Sequence, residues 1–148
     1  MDLVLDFLNT LHVESGTDAL ADPAGRHAWL AARGLSDDDA AATVRAALRA
    51  AVGDPAPGPA TTSARVTVTL DDAGPHLVAD DVSGAVLAAA SRLAVLGEWD
   101  RVKICPADDC RWAFFDRSRN HSRTWCSMRA CGNREKARAW RERARAGG

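Results

Sequence analysis

The stretch CPADDCRWAFFDRSRNHSRTWCSMRACGNR, residues 105–134, determines how the rest of this 148-residue chain is interpreted. It contains all four cysteines, spaced as C-x4-C, fifteen intervening residues and a second C-x4-C. The first residues do not resemble an export signal, so we expect a cytosolic protein whose thiols stay reduced. Two short-spaced cysteine pairs are then typical of a tetrahedral zinc site. Two disulfides or four buried free thiols are the alternatives. The predicted ligands of one structural Zn²⁺ are Cys105, Cys110, Cys126 and Cys131.

The residues around these cysteines predict a small finger. The expected order is knuckle, strand, hairpin tip and return strand, over residues 105–110, 111–115, 116–121 and 122–125. Ser127 is a candidate N-cap for a helix over 128–146, with Cys131 in its first turns. This order predicts a treble-clef-like finger ending in a basic helix. Such a short segment cannot bury a sufficient core unaided, so we expect the metal to supply much of its folding energy.

The charge changes sign where the finger begins. Residues 1–100 carry 6 Arg and no Lys against 15 acidic residues, whereas residues 101–148 carry 11 Arg and 2 Lys against 5. The formal net charge of −1 is therefore a balance between an acidic and a basic segment. This asymmetry predicts two domains, 1–100 and 101–148, with different partners.

Arginine in the basic segment points to nucleic acid, because guanidinium groups bind phosphates and guanine edges in a bidentate way. Local pairing, for example of Arg138 with Glu142, and a genomic bias toward arginine codons are the alternatives. On the last helix, three residues at i, i+3 and i+7 are predicted to pack inward, namely Ala137, Trp140 and Ala144. The predicted phosphate contacts are Arg117, Arg119, Arg123, Arg138, Arg141 and Arg145.

The cysteine-rich stretch resembles the CGNR zinc finger, named for the tetrapeptide Cys131-Gly132-Asn133-Arg134. The resemblance covers about residues 101–146 and implies that the four cysteines bind zinc and that the finger binds DNA. DFLNTL, residues 6–11, resembles the opening of the domain that precedes this finger in bacterial stress-induced transcriptional regulators. Because Arg134 belongs to the family tetrapeptide, we expect it to be structural.

The acidic segment is predicted to be an α-rich α+β domain with one β-hairpin. Its expected helices cover residues 2–13, 23–33, 36–52 and 83–96. Its expected strands cover residues 65–70 and 76–79, and a short strand over 100–104 leads into the knuckle. Val66, Val68 and Leu70 should face inward. Capping is expected from Asp22, from Ser36 with Asp39, and from Ser83.

Some polar and aromatic residues allow two interpretations. Asn9, Thr10 and His12, on the polar side of the first predicted helix, either line a small-molecule pocket or form interdomain hydrogen bonds. His121 could replace a zinc ligand, but four cysteines already complete the tetrahedron. Trp112 and Trp125 are expected to shield the metal site.

We predict a bacterial, cytoplasmic transcription regulator whose zinc finger binds DNA and whose first domain senses a small molecule or a protein. The alternatives are a zinc-stabilised protein–protein adaptor and an RNA-binding module. No catalytic residue is predicted, since four thiolates leave zinc no open position and no nucleophile–base motif is present. No apolar run reaches the roughly 20 residues that cross a membrane, and a homodimer is a further expectation.

Overall fold

The computed structural model describes residues 2–58 and 60–146. It is a mixed α/β structure with three small antiparallel sheets of two strands each. This confirms the α+β class. In chain order the elements are α1 (Asp2–Leu8), β1 (Leu11–His12), β2 (Thr17–Asp18), α2 (Pro23–Ala31), α3 (Ala41–Ala51), β3 (Thr67–Asp71), β4 (Gly74–Val78), α4 (Val82–Val95), a 3-10 turn (Trp99–Arg101), β5 (Val102–Ile104), β6 (Ala113–Phe115), a π-helical turn (Met128–Gly132) and α5 (Asn133–Ala146).

The main hydrophobic core lies between α1, α3 and α4. Phe7 of α1, Val44 of α3 and Val86 of α4 are completely buried and belong to one apolar cluster. The same cluster includes Val102 and Ala113 from β5 and β6. The β5–β6 ribbon is thus packed into the core that the three helices form. The predicted division near residue 100 stays a prediction.

Helix α1 is shorter than predicted. It ends at Leu8 rather than near residue 13, and the Thr10 hydroxyl donates to the Phe7 carbonyl (2.7 Å) just beyond its end. The chain then turns into the β1–β2 ribbon, in which Leu11 lies opposite Asp18. The expectation that Asn9, Thr10 and His12 occupy one polar helix face is therefore wrong.

The caps of α2 and α3 differ in how well the sequence predicted them. Asp22 caps α2 by accepting the Gly25 N–H (2.7 Å), as expected. Helix α3 begins at Ala41 rather than at residue 36, and its N-cap side chain makes no hydrogen bond. Ser36 is drawn away from the helix because its carbonyl accepts the Val82 N–H (3.0 Å). The predicted capping box of Ser36 and Asp39 is therefore wrong.

The β3–β4 hairpin is exposed along its length, which contradicts the inward packing predicted for its apolar residues. Val68 is 69% exposed and Leu70 is 77% exposed. The turn is formed by Gly74 at φ +99° and by the Asp71 carboxylate, which accepts the Ala73 N–H (2.9 Å). Alternation along these strands predicted the hairpin correctly, but it could not show whether any element covers the apolar face.

Helix α4 begins one residue earlier than predicted and has a different cap. Asp81 accepts the Gly84 N–H (2.7 Å) and is the N-cap. Ser83 is buried, and its hydroxyl donates instead to the Asp38 carboxylate (2.8 Å). The polar side chains here join the start of α4 to the loop before α3.

The finger pairs its strands differently from the prediction. Strand β6 pairs with β5, so the knuckle is the loop between them, and residues 122–125 form no strand. The treble-clef arrangement stays a prediction. Ala137 and Trp140 are exposed, the latter by 65%, and Ala144 is exposed as well, so the expected inward face of α5 is wrong. Among the described helices, none has both the length and the hydropathy that crossing a bilayer requires.

Candidate metal centre

The knuckle between β5 and β6 presents the first two thiols. Strand β5 leads directly into Cys105, which is fully buried and donates its N–H to the Trp112 carbonyl (2.9 Å). The Cys110 N–H donates to the Ala107 carbonyl (3.0 Å), which closes a tight turn. Arg111 then adopts φ +51°, a left-handed conformation that redirects the chain into β6. Both sulfurs consequently approach from one loop.

The second pair of thiols flanks the start of the last helix. Cys126 precedes Ser127, whose hydroxyl accepts the Ala130 N–H (3.2 Å) and caps the π-helical turn, as predicted. This turn holds Cys131 at 4% exposure, directly before α5. The wider π-helical winding is typical of functional positions within helices.

The four thiols form one cluster. The sulfur atoms of Cys105, Cys110, Cys126 and Cys131 all lie within 4.8 Å of one another. The Cys110–Cys126 and Cys126–Cys131 sulfur distances are 3.5 and 3.6 Å. Four ligands at about 2.3 Å from a tetrahedral zinc lie about 3.8 Å apart, whereas a disulfide needs about 2.05 Å. The four free cysteines therefore fit one structural zinc ion and not two disulfides.

The protein environment treats the thiols unequally. Burial opposes ionisation of Cys105, but the N–H groups of Cys126 and Ala107 outweigh it and hold the pKa of this thiol below its usual range. Burial raises the pKa of Cys131 to about 11 and raises that of Cys126 further. Full deprotonation of the set therefore needs a cation, and metal binding releases protons.

Asp116 organises the loop that follows β6, residues 116–125, and was not predicted from the sequence. It is completely buried, and its carboxylate accepts from Lys103 Nζ (2.7 Å) and from the N–H groups of Arg123 and Ser118 (2.9 Å each). Burial alone would raise the pKa of Asp116, but these donors outweigh it and hold the pKa well below its usual range. The only available sequence signal was an aspartate two residues before a serine, which is typical of a side-chain-bonded turn.

Arg134 connects the metal centre to its surroundings, in agreement with its expected structural role. Its guanidinium donates to Asp109 (2.8 Å) and lies 3.6 Å from the Cys131 sulfur. It also lies 3.7 Å from the carboxylate of Glu14, which belongs to the first segment of the chain. A cation here favours the thiolate form of Cys131 electrostatically.

The six arginines predicted to contact phosphate lie in different environments. Arg123 donates to the carbonyls of Trp125 and Cys126 and lies 5.0 Å above the Phe114 ring, while Arg138 pairs with Glu135 (2.6 Å). Arg117 lies 6.0 Å from the Phe115 ring. The remaining three are exposed and make no ion pair within the described part of the chain, namely Arg119, Arg141 and Arg145.

The aromatic residues near the centre do not behave alike. Trp125 packs against the thiol cluster, as predicted. Trp112 instead meets the His12 ring edge-on at 5.3 Å and stays 37% exposed. His121 contributes its carbonyl, which accepts from Lys103 (2.5 Å), and its ring is not part of the thiol cluster.

Asn9 joins the first helix to the finger. Its amide donates to the Ala113 carbonyl (3.0 Å) and accepts the Ala113 N–H (2.8 Å), so one side chain satisfies both backbone groups on the free edge of β6. Thr10 is turned toward α3, where its hydroxyl accepts from Arg45 (2.9 Å). Of the two interpretations of these residues, hydrogen bonding between segments is confirmed for Asn9.

Two buried arginines of α3 hold the same junction. Arg49 is 1% exposed, pairs with Asp54 (2.6 Å) and donates to the carbonyls of Leu8 and Arg111 (2.8 Å each). Arg45 pairs with Asp18 (2.5 Å) and holds the pKa of this carboxyl below its usual range. Their sequence signal was the placement of two arginines on the apolar face of α3.

A cavity of about 410 Å³ opens beside these arginines, between the first segment and the knuckle. Arg111 is one of its lining residues, and the Nε atom of this side chain is buried without a hydrogen-bond partner among the described residues. The lining includes apolar Leu11 and Val13 together with Arg45, Arg49, Asp54 and Arg111.

Two family models match the chain and together cover nearly all of it. Residues 1–102 match ABATE, described as "Putative stress-induced transcription regulator", and residues 101–144 match the CGNR zinc finger. Both agree with the resemblances drawn from the sequence, and neither description names an enzyme. No curated protein matches the chain.

Proposed function

We propose that the chain, which belongs to the ABATE family and carries a CGNR zinc finger, regulates transcription by binding duplex DNA through α5 and the loop after β6, residues 116–125. The observation that carries this proposal is the environment of α5. Its arginines at positions 141 and 145 are exposed, lie on one helix face and have no carboxylate partner within the described residues. Guanidinium groups in this state are available to phosphates.

The metal centre supports this role by fixing where α5 begins. Cys131 lies in the turn that leads into α5, and Arg134 ties the first turn of α5 to Asp109. Zinc bound by the four cysteines would hold the knuckle and the helix together. Two further arginines, Arg117 and Arg119, are exposed in the loop after β6 and would extend the basic surface. An α-helix with exposed arginines has the size and charge to enter a major groove.

Arg123 and Arg138 are proposed to contribute less to phosphate binding. Each would first have to leave a partner that it already has, namely backbone carbonyls for Arg123 and Glu135 for Arg138. A helix ion pair is worth a few tenths of a kcal/mol, so the cost is small. We therefore rank these two below Arg141 and Arg145.

We further propose that the first domain senses a small effector in the cavity beside Arg111. Arg111 lines this cavity and lies directly after Cys110, so a ligand that contacts its guanidinium group would act next to the metal centre. The chemistry of the lining favours a small molecule with an acceptor group and an apolar body. The protein is proposed to act in the cytoplasm, where its four thiols would remain reduced.

The test is binding of zinc-loaded full-length protein to a random pool of duplex DNA, followed by fluorescence anisotropy across a range of salt concentrations. Log affinity should fall steeply with log salt, and Arg141→Ala/Arg145→Ala should make the slope shallower by about 0.9 for each lost phosphate contact. Arg92→Ala removes an exposed arginine of α4 and serves as the matched control.

Other outcomes of the same measurement separate the alternatives. Preferential competition by single-stranded RNA would favour an RNA-binding module. Undetectable binding of folded, zinc-loaded protein at about 50 mM salt would contradict nucleic-acid binding and favour a protein–protein adaptor.

A further inference from the structure

The β3–β4 hairpin is anchored at its base and exposed elsewhere. At the base, a Cβ on Gly84 would lie 2.9 Å from the Arg65 carbonyl, so the chain packs tightly against the start of α4. Beyond the base, Val68 and Leu70 of β3 and Leu77 of β4 are 69%, 77% and 49% exposed. A two-stranded ribbon with an uncovered apolar face is marginally stable in water, whereas additional strands stabilise it.

The two edges of this ribbon differ. Strand β4 runs beside α4 and contains Pro75, which lacks an N–H group and hinders further strand pairing. Strand β3 is the outer strand, and all five of its residues are exposed. Its stretch from Thr67 to Leu70 contains no proline and no charged residue. Such an edge lacks the features that normally prevent pairing with another strand.

Two copies of this edge strand are complementary in charge and shape when they run antiparallel to each other. The sequence from Arg65 to Asp71 reads RVTVTLD, with a cation at one end, an anion at the other, and four β-branched residues and a leucine between them. An antiparallel pair of identical strands related by a two-fold axis places each residue opposite its counterpart about a centre. Centred on Val68, Arg65 lies opposite Asp71 twice, Val66 opposite Leu70, and Val68 opposite its own copy.

We propose that β3 pairs antiparallel with β3 of a second copy of this chain, centred on Val68. The two hairpins then form one four-stranded sheet, with two symmetric Arg65–Asp71 ion pairs at the ends of the new ladder. Val68 and Leu70 lie on one face, as does Leu77, which is opposite Val68 in the hairpin. The proposed ladder extends β3 by two residues, so that half-buried Val66 joins this face and Arg65 reaches Asp71 of the other copy. Cross-strand apolar pairs on this shared face add to the backbone hydrogen bonds. The pairing does not depend on nucleic-acid binding.

Sedimentation velocity of the zinc-loaded full chain without DNA tests this interface. The wild type should sediment as a dimer in a concentration-dependent equilibrium. Arg65→Asp and Asp71→Arg each place like charges opposite one another at both ends of the ladder. Each should weaken dimerisation by at least about tenfold, because two attractive pairs become repulsive. Val68→Lys, which sets two lysines against each other at the centre, should give monomers.

Mixing the two single variants provides the decisive measurement. The Arg65→Asp chain has acids at both positions and the Asp71→Arg chain has arginines at both, so the mixture should form a heterodimer with wild-type affinity. This recovery cannot come from misfolded protein. The control Asp72→Arg makes the same charge change one residue away, where the register provides no charged partner, and it should dimerise normally. A monomeric wild type, or a dimer that neither reversal weakens, would overturn the proposal.

Discussion

Two pairs of arginines with the same helical spacing behave in opposite ways in this molecule. Arg45 and Arg49 on α3 are nearly inaccessible and bind Asp18, Asp54 and backbone carbonyls. Arg141 and Arg145 on α5 also lie four residues apart, yet they are exposed and make no ion pair among the described residues. Both pairs have the same spacing along their helices. The carboxylates and carbonyls within reach therefore decide whether an arginine stabilises the fold or is available to bind another molecule.

Removing zinc should have the largest effect on the structure, and it should affect the helix of Arg141 and Arg145 but not the helix of Arg45 and Arg49. Structural zinc contributes about 10–16 kcal/mol of apparent binding free energy in isolated fingers, so the start of α5 should lose its support without it. After a chelator has removed the zinc, hydrogen exchange should show that the amides of α5 lose their protection and that those of α3 keep it. Cys131→Ser should reproduce the pattern. Equal protection of both helices with and without metal would contradict the role of the cysteines.

Replacing one buried arginine should have the next largest effect, on the stability of the fold. Arg49→Met leaves the buried Asp54 carboxylate with only the longer ion pair to Arg111 (3.4 Å) and leaves two carbonyls without their donor, so we expect a loss of about 3–5 kcal/mol in the free energy of unfolding. The matched change Arg141→Met should stay within about 0.5 kcal/mol. Urea denaturation of both variants measures the difference. Equal effects would mean that burial does not distinguish the two pairs.

Acid should weaken the ion pair between Arg45 and Asp18 once the pH falls below the ordinary pKa of an aspartate. Because Arg45 lowers the pKa of Asp18 in the folded state, the stabilisation is complete above the ordinary value of 3.8 and is lost as pH falls toward the lower folded value. The stability difference between wild type and Asp18→Asn should therefore shrink at acid pH, as followed by thermal unfolding. Asp39→Asn, which removes an exposed carboxylate without an ion pair among the described residues, is the control.

The smallest predicted effect compares two arginines within α5. Arg138 is already paired with Glu135 at 2.6 Å, so Arg138→Ala should reduce DNA affinity less than Arg141→Ala does. Each lost phosphate contact lowers the salt slope by about 0.9, and we expect a smaller decrease for Arg138. The double variant Glu135→Gln/Arg138→Ala should have the same DNA affinity as the single variant Arg138→Ala. A larger effect at Arg138 would reverse the ranking of the two residues.

The thiol cluster was more predictable than the rest of the molecule, because metal binding restricts the identity and spacing of its ligands. The spacing of Cys105, Cys110, Cys126 and Cys131 was sufficient to predict the cluster, and Ser127 was correctly identified as a cap. Local caps at fixed offsets, such as Asp22 for α2, also followed from the sequence.

Features that depend on distant partners were not predictable. Ser36 and Ser83 have the chemistry of helix caps, but Val82 and Asp38 engage them instead. Alternation in β3 could not reveal that nothing in the described chain covers Val68. Likewise, the long-range hydrogen bonds of Arg49 depend on the packing of α3 against α1 and the knuckle, which no local pattern encodes.

Arg134 holds the first turn of α5 in place, so it marks the point about which this helix would tilt. Helix α5 has 14 residues and is therefore about 21 Å long, with its first turn held to Asp109 and Glu14. A tilt of about 10° at Arg134 would displace Arg145, eleven residues or about 16 Å along the helix, by about 3 Å, which is close to the 3.4 Å rise per base along one DNA strand. A small change in the contact between Glu14 and Arg134 would therefore shift Arg145 by nearly one base step.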